Sequence, residues 1–127
     1  MAKEKKKSVL IVDDEKELTD ILAFKFEEEG FEVISAYDGE QGLSDALKYK
    51  PDMILLDIIM PKMDGITVMK KLRDDQWGKD VPVIVLTNLS AADTAKDIGS
   101  KSQDYLVKAE WKLTDVVAKV KARLKIK

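Results

Sequence analysis

Polar side chains that could share one reaction follow four separate apolar segments of the sequence. Asp13 and Asp14 follow the first segment, Asp57 follows another, and Thr87 and Lys108 end two later ones. Carboxylates can bind a cation or attack phosphorus, whereas a hydroxyl and an ammonium group can bind phosphoryl oxygens. This set of groups therefore suits phosphoryl transfer, in which positioning and charge neutralisation carry most of the catalysis.

The composition narrows the chemistry available to these groups. The chain has 127 residues, of which 45% are apolar and 36% are charged, and its formal net charge is −2. These values are typical of one globular domain and give no overall basic charge for binding nucleic acid. The chain has no cysteine and no histidine, which excludes disulfides, thiol nucleophiles and the commonest ligands of transition metals. Any bound metal should therefore be one that prefers oxygen.

No segment has the length of a membrane span, and the charged residues 1–7 are not followed by a long apolar run. That start is typical of neither a signal peptide nor a membrane anchor. We therefore expect one domain over residues 1–127, with a flexible charged N-terminus at 1–7, in a cytoplasmic protein.

Five short apolar segments predict β-strands, and a segment of helical periodicity follows each. The predicted strands are 8–12, 31–36, 53–57, 83–86 and 105–107. The predicted helices are 16–29, 40–48, 66–72, 91–98 and a last one with the stripe Leu113, Val117, Val120 and Leu124. Strands that alternate with helices predict an α/β fold in which a parallel sheet carries helices on both faces.

Apolar residues at helical spacing predict which sides of the first two helices are buried. The stripes are Leu18, Ile21, Leu22 and Phe26 in the first helix, and Leu43, Ala46 and Leu47 in the second. Gly30 is predicted to end the first helix.

The carboxyl ends of parallel strands lie at one edge of a sheet, so the polar residues should meet there. Three crowded carboxylates repel one another, and a divalent cation would relieve that repulsion. Among cations that prefer oxygen, Mg²⁺ is the natural candidate, because it needs only one or two carboxylates, waters and a phosphate oxygen. Asp57, on the central strand, is then the best placed nucleophile.

Each of these residues also has a structural explanation when it is taken alone. Asp57 could cap a turn, and the pair Asp13-Asp14 could stabilise the start of a helix. Thr87 could be a strand-end residue or an N-cap, and Tyr105 could be a packing residue of a strand. Lys108 is one of many lysines. Their joint occurrence at four strand ends favours a shared site.

With these motifs in order, the sequence resembles the receiver domain of bacterial and archaeal two-component response regulators over nearly its whole length. The matching segments are Leu10-Ile11-Val12-Asp13-Asp14-Glu15, the block from Asp57-Ile58-Ile59-Met60-Pro61 to Lys62-Met63-Asp64-Gly65, Thr87, and Asp104-Tyr105-Leu106-Val107-Lys108. The resemblance implies a doubly wound, flavodoxin-like (βα)5 sheet of strand order 2-1-3-4-5.

The resemblance also implies roles for individual residues. Asp57 would accept a phosphoryl group from a phosphohistidine of a sensor histidine kinase or phosphotransfer protein. The three acids and the backbone carbonyl of Ile59 would hold Mg²⁺, while Thr87 and Lys108 would bind phosphoryl oxygens. Tyr105 would be the switch aromatic. One departure is Ala109, which follows Lys108 where the family usually has proline.

The function implied is that of a stand-alone, chemotaxis-regulator-like signalling protein. It would not be an enzyme proper, although it would assist its own phosphoryl transfer and autodephosphorylation. Its downstream protein partner would bind the predicted fourth helix, last strand and fifth helix, with no direct nucleic acid contact and no membrane insertion. Two alternatives remain. One is a pseudo-receiver scaffold, and the other is a metal-dependent phosphatase with an aspartyl nucleophile, which needs a second acid where this chain has Ile59.

Overall fold

The structure, a computed structural model, describes residues 6–58, 60–87, 104–107 and 112–125, with backbone only at 87 and 104–107. Within these residues the strands are β1 (Ser8–Val12), β2 (Glu32–Ala36), β3 (Met53–Asp57), β4 (Val83–Thr87) and β5 (Asp104–Val107). The helices are α1 (Lys16–Glu28), α2 (Gly39–Tyr49), α3 (Gly65–Arg73) and one at Leu113–Leu124, here named the C-terminal helix. The predicted helix at 91–98 and most of the predicted flexible segment at 1–7 lie outside the described residues.

The strands form one parallel sheet in the order β2-β1-β3-β4-β5, which confirms the predicted fold class and strand order. Each connection that the structure describes in full, such as α1 between β1 and β2, passes through a helix. All five residues of β3 are buried. An uninterrupted apolar strand is the pattern expected where helices cover both faces of a parallel sheet.

Alternate residues of each central strand enter two separate apolar clusters. In β1, Leu10 and Val12 belong to the cluster that contains Ala46 and Leu72, from α2 and α3. Val9 and Ile11 belong to the other cluster, which contains residues of α1 and the C-terminal helix. Side chains of successive strand residues point to opposite faces, so helices cover both faces of the sheet, as predicted.

Helix α1 ends in a Schellman motif at Gly30. The amides of Gly30 and Phe31 donate to the carbonyls of Glu27 and Phe26 at 3.1 and 3.0 Å. Gly30 has a φ of +94°, which glycine adopts without strain. The rings of Phe26 and Phe31 lie edge to face with centroids 5.3 Å apart. Gly30 therefore ends the helix as predicted, and the two rings fix the direction in which the chain enters β2.

The predicted apolar stripes were wrong at two residues. Ile21 is 51% exposed, and Leu47 is 37% exposed. In α1 the buried residues are Thr19, Leu22 and Phe26, so the helix is rotated away from the orientation that would bury Ile21. The buried hydroxyl of Thr19 lies within hydrogen-bonding distance of the carbonyls of Asp13 and Glu15 in the preceding turn, so this polar group has partners on the buried side of the helix.

Among the described residues, no helix combines the length and the apolar composition that crossing a bilayer requires.

Candidate functional site

Three carboxylates meet where β1 and β3 end. The two strands pair directly, with Val12 opposite Leu56. Asp13, the first residue after β1, and Asp57, the last residue of β3, therefore become neighbours. Each of Asp13, Asp14 and Asp57 offers one oxygen, and these oxygens all lie within 4.8 Å of one another. Asp13 and Asp57 are buried, whereas Asp14 is exposed. The cluster thus has two acids in the protein interior and one at the solvent boundary.

The turn after β1 fixes the first of these acids. The carboxylate of Asp13 accepts a hydrogen bond from the amide of Glu15 at 2.9 Å. The amide of Asp13 donates to the carbonyl of Ala36, at the end of β2, at 3.1 Å. The buried hydroxyl of Thr19 lies 3.2 Å from the carbonyl oxygen of Asp13 and 3.0 Å from that of Glu15. Backbone and side-chain bonds therefore hold the turn in one shape.

Thr19 was not among the residues singled out in the sequence. A signal was present, because Thr19, Leu22 and Phe26 are spaced as residues on one side of a helix. A hydroxyl on the buried side of a helix requires a hydrogen-bond partner, and the carbonyls of the preceding turn are the nearest candidates.

The loop after β3 lies close to the backbone of Asp57. The amide of Gly65 donates to the carbonyl of Ile58 at 2.7 Å. A Cβ atom at Gly65 would lie inside 3.0 Å of the carbonyl oxygen of Asp57, a separation that Cβ atoms essentially never show. Asp64 begins α3 by accepting a hydrogen bond from the amide of Thr67 at 2.8 Å. The start of α3 is thereby anchored beside the buried acid.

For the other candidate site residues, the structure describes either the backbone alone or nothing. The backbone of Thr87 ends β4, which pairs with β3 so that Asp57 lies opposite Leu86. Thr87 therefore reaches the same edge of the sheet as the acids. Tyr105 lies in β5 opposite Val85. Lys108 and Ile59 lie outside the described residues.

The donor set fits Mg²⁺. Three carboxylate oxygens within 4.8 Å of one another are hard anionic ligands, and they include one exposed acid beside which waters can complete the coordination. The described residues contain no thiolate or imidazole that would favour a softer metal.

Comparison with known proteins gives one consistent family. The family model described as "Response regulator receiver domain" matches residues 9–121. The DNA-binding dual master transcriptional regulator RpaA of Synechocystis sp. is 36% identical over 118 residues, which cover 92% of this chain and 48% of that protein. The alkaline phosphatase synthesis transcriptional regulatory protein PhoP of Bacillus subtilis is 38% identical over 120 residues, which cover 94% of this chain and 49% of that protein. The chain therefore spans about half the length of these two relatives.

Similarity to solved structures indicates the same family. The receiver domain of the Francisella response regulator 1452 is 32% identical with a TM-score of 0.82, and the match covers 91% of this chain and 94% of that one. A chain of the CheX-CheY-BeF3-Mg²⁺ complex from Borrelia burgdorferi is 32% identical with a TM-score of 0.83, covering 93% and 89%. Sequence and fold thus agree over nearly the whole chain, which belongs to the response regulator receiver domain family.

Proposed function

We propose that Asp57 accepts a phosphoryl group from a phosphohistidine of a sensor histidine kinase or phosphotransfer protein, and that this modification switches the affinity of the domain for a protein partner. The observation that carries the proposal is the position of Asp57, which ends the central strand with an oxygen within 4.8 Å of oxygens of Asp13 and Asp14. Receiver domains are the phosphoacceptors of two-component signalling, which supports this assignment.

The phosphoryl transfer needs no reactant other than the phosphohistidine and the carboxylate. A carboxylate oxygen of Asp57 attacks phosphorus, the bond from phosphorus to the imidazole nitrogen breaks, and its electron pair stays on that nitrogen. The product is an acyl phosphate, and the imidazole takes up a proton from solvent as its charge requires. Hydrolysis by water then restores the carboxylate and releases inorganic phosphate. The domain assists both steps, and the phosphorylated form that exists between them is the signal.

Asp13, Asp14 and Asp57 would hold Mg²⁺ in this proposal, and the backbone carbonyl of Ile59 would be a further ligand. When bound, the ion would supply positive charge that offsets the repulsion among the carboxylates and stabilises charge on the phosphoryl oxygens. The hydrogen bonds that Asp13 forms with the amide of Glu15 and the carbonyl of Ala36 would keep the acidic turn in a shape ready to bind the ion. The solved complex from Borrelia burgdorferi includes both Mg²⁺ and BeF3, which supports a site for the ion in this fold.

Thr87 and Lys108 would bind the phosphoryl oxygens, and Tyr105 would follow the movement of Thr87. Phosphorylation adds charge and acceptor oxygens, so it would shift an existing equilibrium between two arrangements of this edge. The partner would bind the surface that includes β5, the predicted helix at 91–98 and the C-terminal helix. We propose that the phosphoryl transfer and the partner binding take place in the cytoplasm, and that this domain contacts neither nucleic acid nor membrane directly.

Labelling with acetyl phosphate tests the proposal. The chain should gain one phosphoryl group in the presence of Mg²⁺ and far less in its absence, and mass spectrometry should map the group to Asp57. Asp57→Asn should abolish labelling. Asp52→Asn is the matched control. Asp52 precedes β3 and so lies at the opposite, N-terminal end of this strand, and the amide variant keeps an acceptor oxygen for Ser8.

Retained labelling of Asp57→Asn would place the acceptor elsewhere and contradict the proposal. A parent chain that binds no Mg²⁺ and takes up no phosphoryl group would indicate the scaffold alternative instead. Sustained turnover of a phosphate ester would indicate the phosphatase alternative.

A further inference from the structure

The first residue of α2 lies directly on the loop that follows Asp57. Gly39 is buried, and a Cβ atom built on it would lie inside 3.0 Å of the carbonyl oxygen, the carbonyl carbon and the Cβ atom of Met63. The two backbones therefore approach as closely as only a glycine allows. The sequence places these residues 24 positions apart, and the fold makes them neighbours.

The preceding residue adds two polar contacts at the same place. One carboxylate oxygen of Asp38 accepts a hydrogen bond from the amide of Gln41 at 2.8 Å and so caps α2. The other lies 3.7 Å from the ammonium group of Lys62, in the loop. Lys62 has a φ of +67°, in the left-handed region that side chains other than glycine adopt rarely. Contacts around Lys62 therefore hold the loop in a shape that it would not favour alone.

The far side of the loop is held against Asp57. The amide of Met63 donates to the carbonyl of Pro61 at 2.7 Å, and the amide of Gly65 donates to the carbonyl of Ile58 at the same distance. Gly65 has no room for a Cβ atom against the Asp57 carbonyl. The loop is thus enclosed between the start of α2 on one side and the backbone of the buried acid on the other.

We infer that the start of α2, at Asp38 and Gly39, is a positioning element for the acceptor Asp57. It restricts the positions that the loop can take at Met63. The loop in turn restricts the position of the Asp57 backbone through Gly65. The geometry stands on the described contacts, whereas its consequence for phosphorylation rests on the proposed function. Reacting groups that move by about 1 Å can lose about a hundredfold in rate, so a contact remote from the reaction can matter to it.

Gly39→Ala tests this inference against Gly78→Ala. A Cβ atom at Gly78 would overlap the carbonyl of Leu72 in the same manner. Gly78, however, lies in the loop before β4, at the N-terminal ends of the strands and away from Asp57. Both variants introduce one methyl group against a backbone carbonyl. They differ in whether the affected loop leads to Asp57.

Three readouts separate positioning from general destabilisation. These are the hydrogen exchange of the Gly65 amide without metal, the rise in melting temperature on adding Mg²⁺, and the labelling rate at saturating acetyl phosphate. In Gly39→Ala we expect the Gly65 amide to exchange about tenfold faster, the rise with Mg²⁺ to shrink, and the saturated labelling rate to fall about tenfold. Gly78→Ala should leave all three close to the parent after correction for global stability.

Equal changes in both variants would overturn the inference, and so would an unchanged Gly65 exchange rate in Gly39→Ala. If Gly39→Ala does not fold, Asp38→Ala is the milder variant, because it removes the cap of α2 and the ion pair with Lys62 without introducing a steric overlap. Faster exchange in the first turn of α2 without faster exchange at Gly65 would also overturn the inference. If the parent is never labelled at Asp57, the proposed function fails, while the exchange at Gly65 still decides whether the contact holds the loop.

Discussion

Gly65 lies against the backbone of Asp57 across the loop that joins β3 to α3. Its amide donates to the carbonyl of Ile58 at 2.7 Å, and a Cβ atom on it would overlap the Asp57 carbonyl oxygen. Gly65 does not have a positive φ, so the glycine is required here for space and not for backbone freedom. The end of the central strand and the start of the next helix therefore form one packed unit around Asp57, the proposed acceptor.

Gly65→Ala should lower both the stability and the reactivity of the domain. The added methyl group has no room, and overpacking of this kind costs about 1–3 kcal/mol. Because the displaced atoms belong to Asp57 and Ile58, labelling by acetyl phosphate should slow as well. Urea unfolding measures the first effect, and the rate of phosphoryl incorporation measures the second.

Gly30→Ala is the matched control for this prediction. Gly30 has a φ of +94° and open space where a Cβ atom would lie, so the substitution costs about 1 kcal/mol through backbone conformation alone. It should destabilise the chain while the labelling rate stays at the parent value. If Gly30→Ala slows labelling as much as Gly65→Ala does, the packing against Asp57 has no special effect on the reaction.

Asp14→Asn should change stability in opposite directions with and without Mg²⁺. Without metal, removing one of three charges within 4.8 Å relieves repulsion, and we expect the unfolding free energy to rise by up to about 1 kcal/mol at this exposed position. With excess Mg²⁺ the variant should be less stable than the parent, because a ligand that binds only the folded state stabilises it more when it binds more tightly. Urea unfolding with chelator and with Mg²⁺ measures both differences.

Asp20→Asn is the control for Asp14→Asn, because Asp20 is an exposed acid of α1 outside the carboxylate cluster. Its stability should respond to Mg²⁺ as the parent does. An equal gain from Mg²⁺ in Asp14→Asn and the parent would remove Asp14 from the metal site.

Thr19→Val should weaken the acidic turn without changing the size of the side chain. The hydroxyl lies 3.2 Å from the carbonyl oxygen of Asp13 and 3.0 Å from that of Glu15, and its loss leaves a buried backbone acceptor without this donor. Such a loss costs about 1–3 kcal/mol. The stabilisation by Mg²⁺ should fall too, because Asp13 belongs to the carboxylate cluster.

Thr19→Ser keeps the hydroxyl and removes only a methyl group, at a cost of about 0.8 kcal/mol for the buried carbon. It should retain the response to Mg²⁺. A Ser variant that loses this response as fully as the Val variant would assign the effect to packing and not to the hydrogen bond.

Local patterns were sufficient to predict the strands and most of the helices. The run at Met53–Asp57 has no polar residue before its end, and Gly30 marks the end of α1, so the elements on either side of the acidic site could be placed from the chain alone. Parallel topology then places the ends of neighbouring strands together. That step needs no knowledge of side-chain packing, which is why the clustering of Asp13 and Asp57 followed from the sequence.

Helix rotation and the contacts between loops were not predictable in the same way. Ile21 has the right spacing for burial, but α1 buries Thr19, Leu22 and Phe26 and leaves Ile21 exposed. Gly39 is typical of a turn in the sequence, and its contact with Met63 depends on where α2 and the β3–α3 loop lie in three dimensions. Such contacts depend on atoms distant in the sequence, and no periodicity encodes them.

The ion pair between Glu29 and Lys121 should make stability depend on pH in the acid range. It joins the end of α1 to the C-terminal helix. The hydrogen bond from Lys121 and its charge hold the pKa of Glu29 below the ordinary value of 4.5, and Lys25 lowers it further. A lowered pKa in the folded state means that the pair stabilises the fold above the unfolded-state pKa and loses this effect as pH falls through the folded-state value.

The stability advantage of the parent over Glu29→Gln should therefore be largest near neutral pH and shrink as pH falls below about 4.5, the ordinary glutamate pKa. Urea unfolding over a pH series measures it. Glu28→Gln, which removes the neighbouring exposed acid, should keep the pH profile of the parent. Added salt should reduce the advantage, because both side chains are partly exposed and ions screen their attraction. If the advantage of the parent over Glu29→Gln instead grows on acidification, the pair forms no net attraction in the folded chain.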